Sequence, residues 1–267
     1  MPASISIDNY LDAHQGDAEL ELCGKLAIVK SILDAEGGSH LKQVERHDER
    51  FDPKRLDDTW YLKFLRLLTE GVRRADVGSI FDNVSIIVFN YDRCVERYLL
   101  QALRGYYDLS DDEAVKVVAG LRIYHPYGQV GPLPWQERNG VPYGAEGADI
   151  LSIARGIKTF TEGQDDEGVM TPILQVMSGA ETVVFLGFAY HQQNLDLITP
   201  PTSIASRVFG TAHGISNSDQ KAVTASLKQM LEPVDCGDVE VNLHVSKCAG
   251  LFDEFWRSLS APAPHRD

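Results

Sequence analysis

The chain has 267 residues, is 43% hydrophobic and carries a formal net charge of -14, with a pI near 5.0. That apolar content suffices for a substantial core. The acidic balance excludes unaided binding to nucleic acid or to an anionic membrane surface, because nonspecific phosphate affinity needs clustered Lys and Arg. A compact anionic ligand stays open wherever one cleft is locally positive.

No stretch approaches the roughly 20 apolar residues of a membrane span. The N-terminus lacks a basic segment followed by an apolar one, so a cytoplasmic chain is expected. Cys23, Cys94, Cys236 and Cys248 include no Cys-x-x-Cys pair that would hold a zinc ribbon. No metal is expected, and the cysteines read as buried apolar thiols rather than disulfides.

Asp17 to Glu36 sets Leu20, Leu22, Leu26, Ile28, Val29, Ile32 and Leu33 mainly on one broad face, and Gly37-Gly38 supplies a stop, which predicts a core helix. The charged run from Ser39 to Asp58 reads as a solvated connection. A second helix is predicted from about Asp58 to Arg74, with Trp60, Tyr61, Phe64, Leu65 and Leu68 inward.

The stretch Ser85-Ile86-Ile87-Val88-Phe89-Asn90-Tyr91-Asp92 is apolar until it breaks into an amide and a carboxylate, after which Arg93 to Arg104 is helical in pattern. A short β-branched run without alternation fits a parallel-sheet strand covered on both faces. Ligands of such sheets sit beyond the strands' carboxyl ends, where Asn90 and Asp92 would stand on one side with Tyr91 opposed. The same residues also suit plain local roles, Asp92 as a helix cap and Asn90 as a turn residue.

Ser110 and Glu113 have the spacing of a capping box that opens a short helix through Val118. Leu121 to Tyr124 reads as a strand, and residues 126–147 as a Gly/Pro-rich loop of the length that often carries function. Helical patterns return at about Ala148 to Thr159 and Val169 to Ser178. Thr182 to Leu186, Ser206 to Phe209 and Val239 to Val245 read as strands, and Ser216 to Leu231 and Cys248 to Leu259 as helices.

Strands alternating with helices predict a Rossmann-like α/β fold, a mainly parallel sheet with helices on both faces. One domain over residues 1–259 and a disordered tail at 260–267 are expected. The strands ending at Phe89, Tyr124 and Leu186 are expected in one sheet with their carboxyl ends on a common edge.

Phe89-Asn90-Tyr91-Asp92 with Glu96, then His125-Pro126-Tyr127-Gly128, then Phe185-Leu186-Gly187-Phe188 with Asn194-Leu195, resembles the ordered motifs of bacterial sirtuin-like domains. The resemblance implies an NAD-binding fold. For many bacterial members it also implies hydrolysis of NAD to nicotinamide and ADP-ribose, often in antiphage defence. It gives Asn90 the positioning of the nicotinamide ribose or of an attacking water, and Asp92 the support of that asparagine. Glu96, one helical turn beyond Asp92, is left with a structural role.

The family's histidine, a general base or ribose-polarising group, usually sits immediately before a glycine. Tyr127 holds that place here, with a nucleotide contact as its implied role, and His125 stands two residues earlier on the same strand face. A satisfied strand-end histidine is the plain alternative for His125. The resemblance gives Gly187 and Phe188 a close approach to the dinucleotide, which glycine permits because it lacks a Cβ. Asn194 it gives a ribose or adenine contact. His191 and His213 read as surface or capping imidazoles.

The family opens with a strand and a Gly-Ala-Gly-type phosphate loop, and residues 1–267 hold no such motif. The chain therefore reads as N-terminally truncated relative to the family, with weak NAD affinity expected. Protein deacylation, which in the family relies on a zinc module, is the weaker enzyme expectation. NAD or a related nucleotide is the expected partner, and self-association into a homo-oligomer stays open. The alternative to an NAD hydrolase is a catalytically inactive nucleotide-sensing or assembly module of the same fold.

Overall fold

The structure, a computed structural model, describes residues 7–12, 14, 16–42, 53–159, 162, 166–231 and 238–262. Half of the expected charged connection (43–52) and most of the expected disordered tail (263–267) lie outside the described residues. In chain order the helices and strands are α1 (Ile7–Asp12), α2 (Ala18–Gly38), α3 (Tyr61–Thr69), β1 (Ser85–Ile87), α4 (Cys94–Tyr107), α5 (Asp111–Val118), β2 (Arg122–Tyr124), α6 (Ile150–Ala154), α7 (Glu167–Ser178), β3 (Thr182–Phe185), α8 (Gln192–Leu197), β4 (Arg207–Thr211), α9 (Asn217–Leu231), β5 (Glu240–His244) and α10 (Cys248–Ser260). They fall into two compact units, Met1–Arg55 with Gly71–Asp166, and Leu56–Glu70 with Glu167–Asp267.

In the first unit the apolar face of α2 buries Ile28, Val29 and Leu33 against Ile153, Ala154 and Ile157 and against Val130 of the Gly/Pro-rich loop. Asp17 caps the helix by accepting from the Leu20 backbone N–H. The expected glycine stop is displaced: α2 runs through Gly37 and Gly38, and Ser39 ends it by donating from both its N–H and its hydroxyl to the Glu36 carbonyl. The end of the helix makes position 144 require glycine, since a Cβ on Gly144, which has φ +57°, would fall 2.5 Å from the Gly37 backbone nitrogen.

Strand β1 pairs in parallel with β2, Ser85 opposite Arg122 and Ile87 opposite Tyr124, and the Val88 N–H extends the ladder to the Tyr124 carbonyl. Helix α4 buries Val95, Tyr98, Leu99, Ala102 and Leu103 and ends at Asp108 in the left-handed conformation. The capping box at the start of α5 is formed, Ser110 accepting from Glu113 N–H and Glu113 from Ser110 N–H. Helix α6 is shorter than its sequence pattern, because Gly156 follows its last turn at Arg155.

In the second unit β3, β4 and β5 form a parallel sheet in that order, with Phe185 opposite Gly210 and Thr211 opposite His244. The central strand β4 is buried throughout, as a strand flanked on both edges requires. Helix α9 packs on β5, and α10 on β4 and α3. Buried Arg207 ties the sheet to the end of α10, donating to Thr182 Oγ1 and to the carbonyls of Ser258 and Ala261. Helix α3 stops at Thr69, well short of Arg74, because the chain turns through Gly71 at φ +75°. Of the residues expected inward, Leu65 and Leu68 are buried, while Trp60, Tyr61 and Phe64 are half-buried, with Trp60 stacked on Phe252 at 6.3 Å.

Parallel pairing thus agrees with the strand patterns, but the ladders make two sheets, not one. The physical reason is local. Strand β1 pairs with β2 and β3 with β4, and among the described residues no strand bonds to both β1 and β3. No helix among the described residues is long and apolar enough to cross a membrane.

Candidate functional site

The carboxyl ends of β1 and β2 bring two of the expected site residues together. Asn90 follows β1 at a bend and is exposed, while Tyr91 turns the other way, packing against the core of α2 and α6 and donating its hydroxyl to the Lys158 carbonyl. His125 follows β2. Because β1 and β2 are in parallel register, their ends coincide, and His125 Nδ1 lies 3.3 Å from the backbone carbonyl oxygen of Asn90. Its other nitrogen, Nε2, lies 2.9 Å from Glu96 Oε1. The side chains of His125 and Glu96 are only 8% and 1% exposed, so the bond is shielded from water.

Asp92 takes the local role that its residue type favours, Oδ1 accepting from the Cys94 backbone N–H at the start of α4. Tyr127 is buried, edge-on to Phe89 with ring centroids 5.9 Å apart. The turn between His125 and Tyr127 closes by a bond from the Gly128 N–H to the His125 carbonyl.

Beneath this strand end lies an anchor that the sequence reading passed over. Arg93 is fully buried and donates through Nε and Nη2 to Glu36, through Nη1 to the carbonyls of Gly131 and Val141, and through Nη2 to that of Pro142. Glu36 also accepts from the backbone N–H groups of Arg93 and Gly144. One ion pair thereby holds the end of α2, the junction of β1 and α4, and both limbs of the Gly/Pro-rich loop. Beside it, burial chiefly, and next the Asp92 carboxylate, push the Cys94 thiol far above its ordinary range. Burial also raises the Tyr143 phenol, with the neighbouring Cys94 adding to it.

Gly187, Phe188 and Asn194 belong to the second unit. Gly187 follows β3 with φ +61°, and its N–H donates to Thr211 Oγ1 at the end of β4. Phe188 packs against Phe185 and Tyr190, and the Tyr190 hydroxyl donates to the Thr211 carbonyl. Two hydrogen bonds to Thr211 thus brace the chain after β3 against the neighbouring strand. Asn194 is half-buried in the first turns of α8. His191 is the exposed N-cap residue of that helix, and His213 is exposed after β4.

Among the described residues no group of three or more His, Cys, Asp or Glu side chains is placed to hold a metal ion. Chemically, the β1–β2 end offers the exposed residue Asn90, an imidazole at the backbone carbonyl of that residue and a buried carboxylate behind the imidazole. The sequence did hold a signal for the last group: Glu96 is a charged residue on the α4 face that also carries Leu99 and Leu103, three and seven positions on. No family model, curated protein or solved structure matches the chain.

Proposed function

We propose that the chain is a sirtuin-like NAD-binding domain that hydrolyses NAD to nicotinamide and ADP-ribose, with the reacting ribose at the end of β1 and β2. The observation that carries this reading is the meeting of Asn90 and His125 at coincident carboxyl ends of two parallel strands, where open α/β folds take their ligands. Breaking the nicotinamide–ribose bond builds positive charge on the sugar, so the site has to orient a water and tolerate that charge rather than supply a covalent nucleophile. In this reading Asn90 positions the ribose or the water, and His125 receives the proton the water gives up. Asp92, already committed to the backbone of Cys94, fixes the bend that presents Asn90.

A second reading, an inactive nucleotide-sensing or assembly module, is favoured by Tyr127: it takes the place where the resembled family carries its histidine, and it is buried against Phe89. One experiment separates the two. Purified protein is incubated with NAD while nicotinamide release and thermal unfolding are followed together. Release of nicotinamide supports the hydrolase, and a rise in unfolding temperature without release supports the inactive module.

A further inference from the structure

Two buried carboxylates in the first unit contrast in their partners. Glu36 is satisfied on both oxygens, Oε1 accepting from the backbone N–H and Nε of Arg93, and Oε2 from Arg93 Nη2 and the Gly144 N–H. Glu96, equally buried, has His125 Nε2 on Oε1, while its Oε2 has no hydrogen-bond partner among the described residues. A buried carboxylate left half-satisfied is costly. A residue serving packing alone at that place, on a helix face with Leu99 and Leu103, would be apolar.

We propose that Glu96 is a positioning residue for His125: its carboxylate holds the ring proton on Nε2 and so presents Nδ1 at the end of β1 beside Asn90. The proposal rests on the hydrolase reading above. A carboxylate only accepts, so the nitrogen facing it carries the proton. The backbone carbonyl of Asn90, 3.3 Å from the other nitrogen, is also a pure acceptor, but the closer, charge-assisted bond at 2.9 Å to Glu96 is the stronger of the two and takes the single proton of the neutral ring. Nδ1 is therefore the nitrogen left to exchange protons. This is the general arrangement of an imidazole oriented by a third group.

The water oxygen bonds to the ribose carbon as the bond from that carbon to the nicotinamide ring nitrogen breaks. The electron pair leaves with nicotinamide, whose ring becomes neutral. The water's proton passes to Nδ1, where the Asn90 carbonyl is in place to accept a hydrogen bond from it.

The test uses the full chain and Glu96→Gln, which keeps the volume but lets an amide N–H face Nε2 in place of a pure acceptor. Nitrogen-15 NMR of histidine-labelled protein reads which ring nitrogen carries the proton and needs no substrate. The expected results are an Nε2-protonated His125 in the parent and a shift toward the Nδ1-protonated form in Glu96→Gln. They also include a kcat for nicotinamide release lowered about 10²-fold with KM unchanged. An Nδ1-protonated ring in the parent, or an unchanged kcat in Glu96→Gln, overturns the proposal. If the parent releases no nicotinamide, the hydrolase reading falls, and the Glu96–His125 arrangement then stands or falls on the nitrogen shifts alone.

Discussion

Arg93 and Glu36 form an ion pair in which both side chains are fully buried, Nη2 lying 2.5 Å from Oε2. Burying two charges is expensive, and their attraction offsets that cost only when the remaining donors and acceptors are also satisfied. Here they are: every guanidinium N–H has an acceptor, three of them carbonyls of the Gly/Pro-rich loop. This explains how a long segment without regular structure holds one conformation beside the end of β1.

Removing one partner should therefore cost more than removing both. Glu36→Ala leaves a buried guanidinium unpaired and is expected to destabilise the fold by about 3–5 kcal/mol. The double variant Glu36→Met, Arg93→Met should lose less than the sum of the single changes. Urea unfolding of the set checks this, and strict additivity would show that the two residues do not act as a pair.

Alkaline pH should weaken the protein. Burial raises the Cys94 thiol, the Tyr143 phenol and the Tyr190 phenol above their ordinary values. Below the unfolded-state values, about 8.5 for a thiol and about 10 for a phenol, both states hold these protons and the groups leave stability unchanged. Above them the unfolded chain releases protons that the folded chain keeps, so stability falls as pH rises. The unfolding temperature is expected to drop from about pH 9 upward, and less steeply in Cys94→Ala. In the same range a thiol reagent should modify exposed Cys23 well before Cys94. Faster labelling of Cys94 would contradict the burial argument.

Replacing His125 by Ala removes the imidazole that lies between Glu96 and the Asn90 carbonyl. General acid–base help is typically worth about 10²–10⁴-fold, and a loss of that size in kcat for nicotinamide release is expected. Steady-state kinetics decide it. An unchanged kcat would assign His125 to the plain role of a satisfied strand-end histidine.

What the sequence made legible was local. The Ser110–Glu113 spacing and the glycine density of residues 126–147 each encode their outcome within a few neighbouring positions and are found as read, while the apolar run into Asn90 gives a parallel strand that is shorter, Ser85–Ile87, and only half-buried rather than covered on both faces. What escaped depends on distant pairing. Glu36 and Arg93 are 57 residues apart, and nothing near either one names its partner. Glu96 and His125 are 29 apart, and the inward place of Glu96 on α4 was readable while the imidazole it meets was not. Likewise, strand patterning encodes parallel pairing but not how many ladders share a sheet, and β1 and β3 lie in separate ones.

Nicotinamide release by the parent and by Asn90→Ala decides whether the strand end carrying Asn90 cleaves NAD. Asn90 is exposed beyond β1, so the substitution should leave the unfolding temperature unchanged while removing the group that orients the ribose or its water. Measurable release by the parent at saturating NAD and loss of that release in Asn90→Ala are expected, with both proteins folded. Absence of release by the parent at any NAD concentration, or equal release by Asn90→Ala, would contradict cleavage at this strand end.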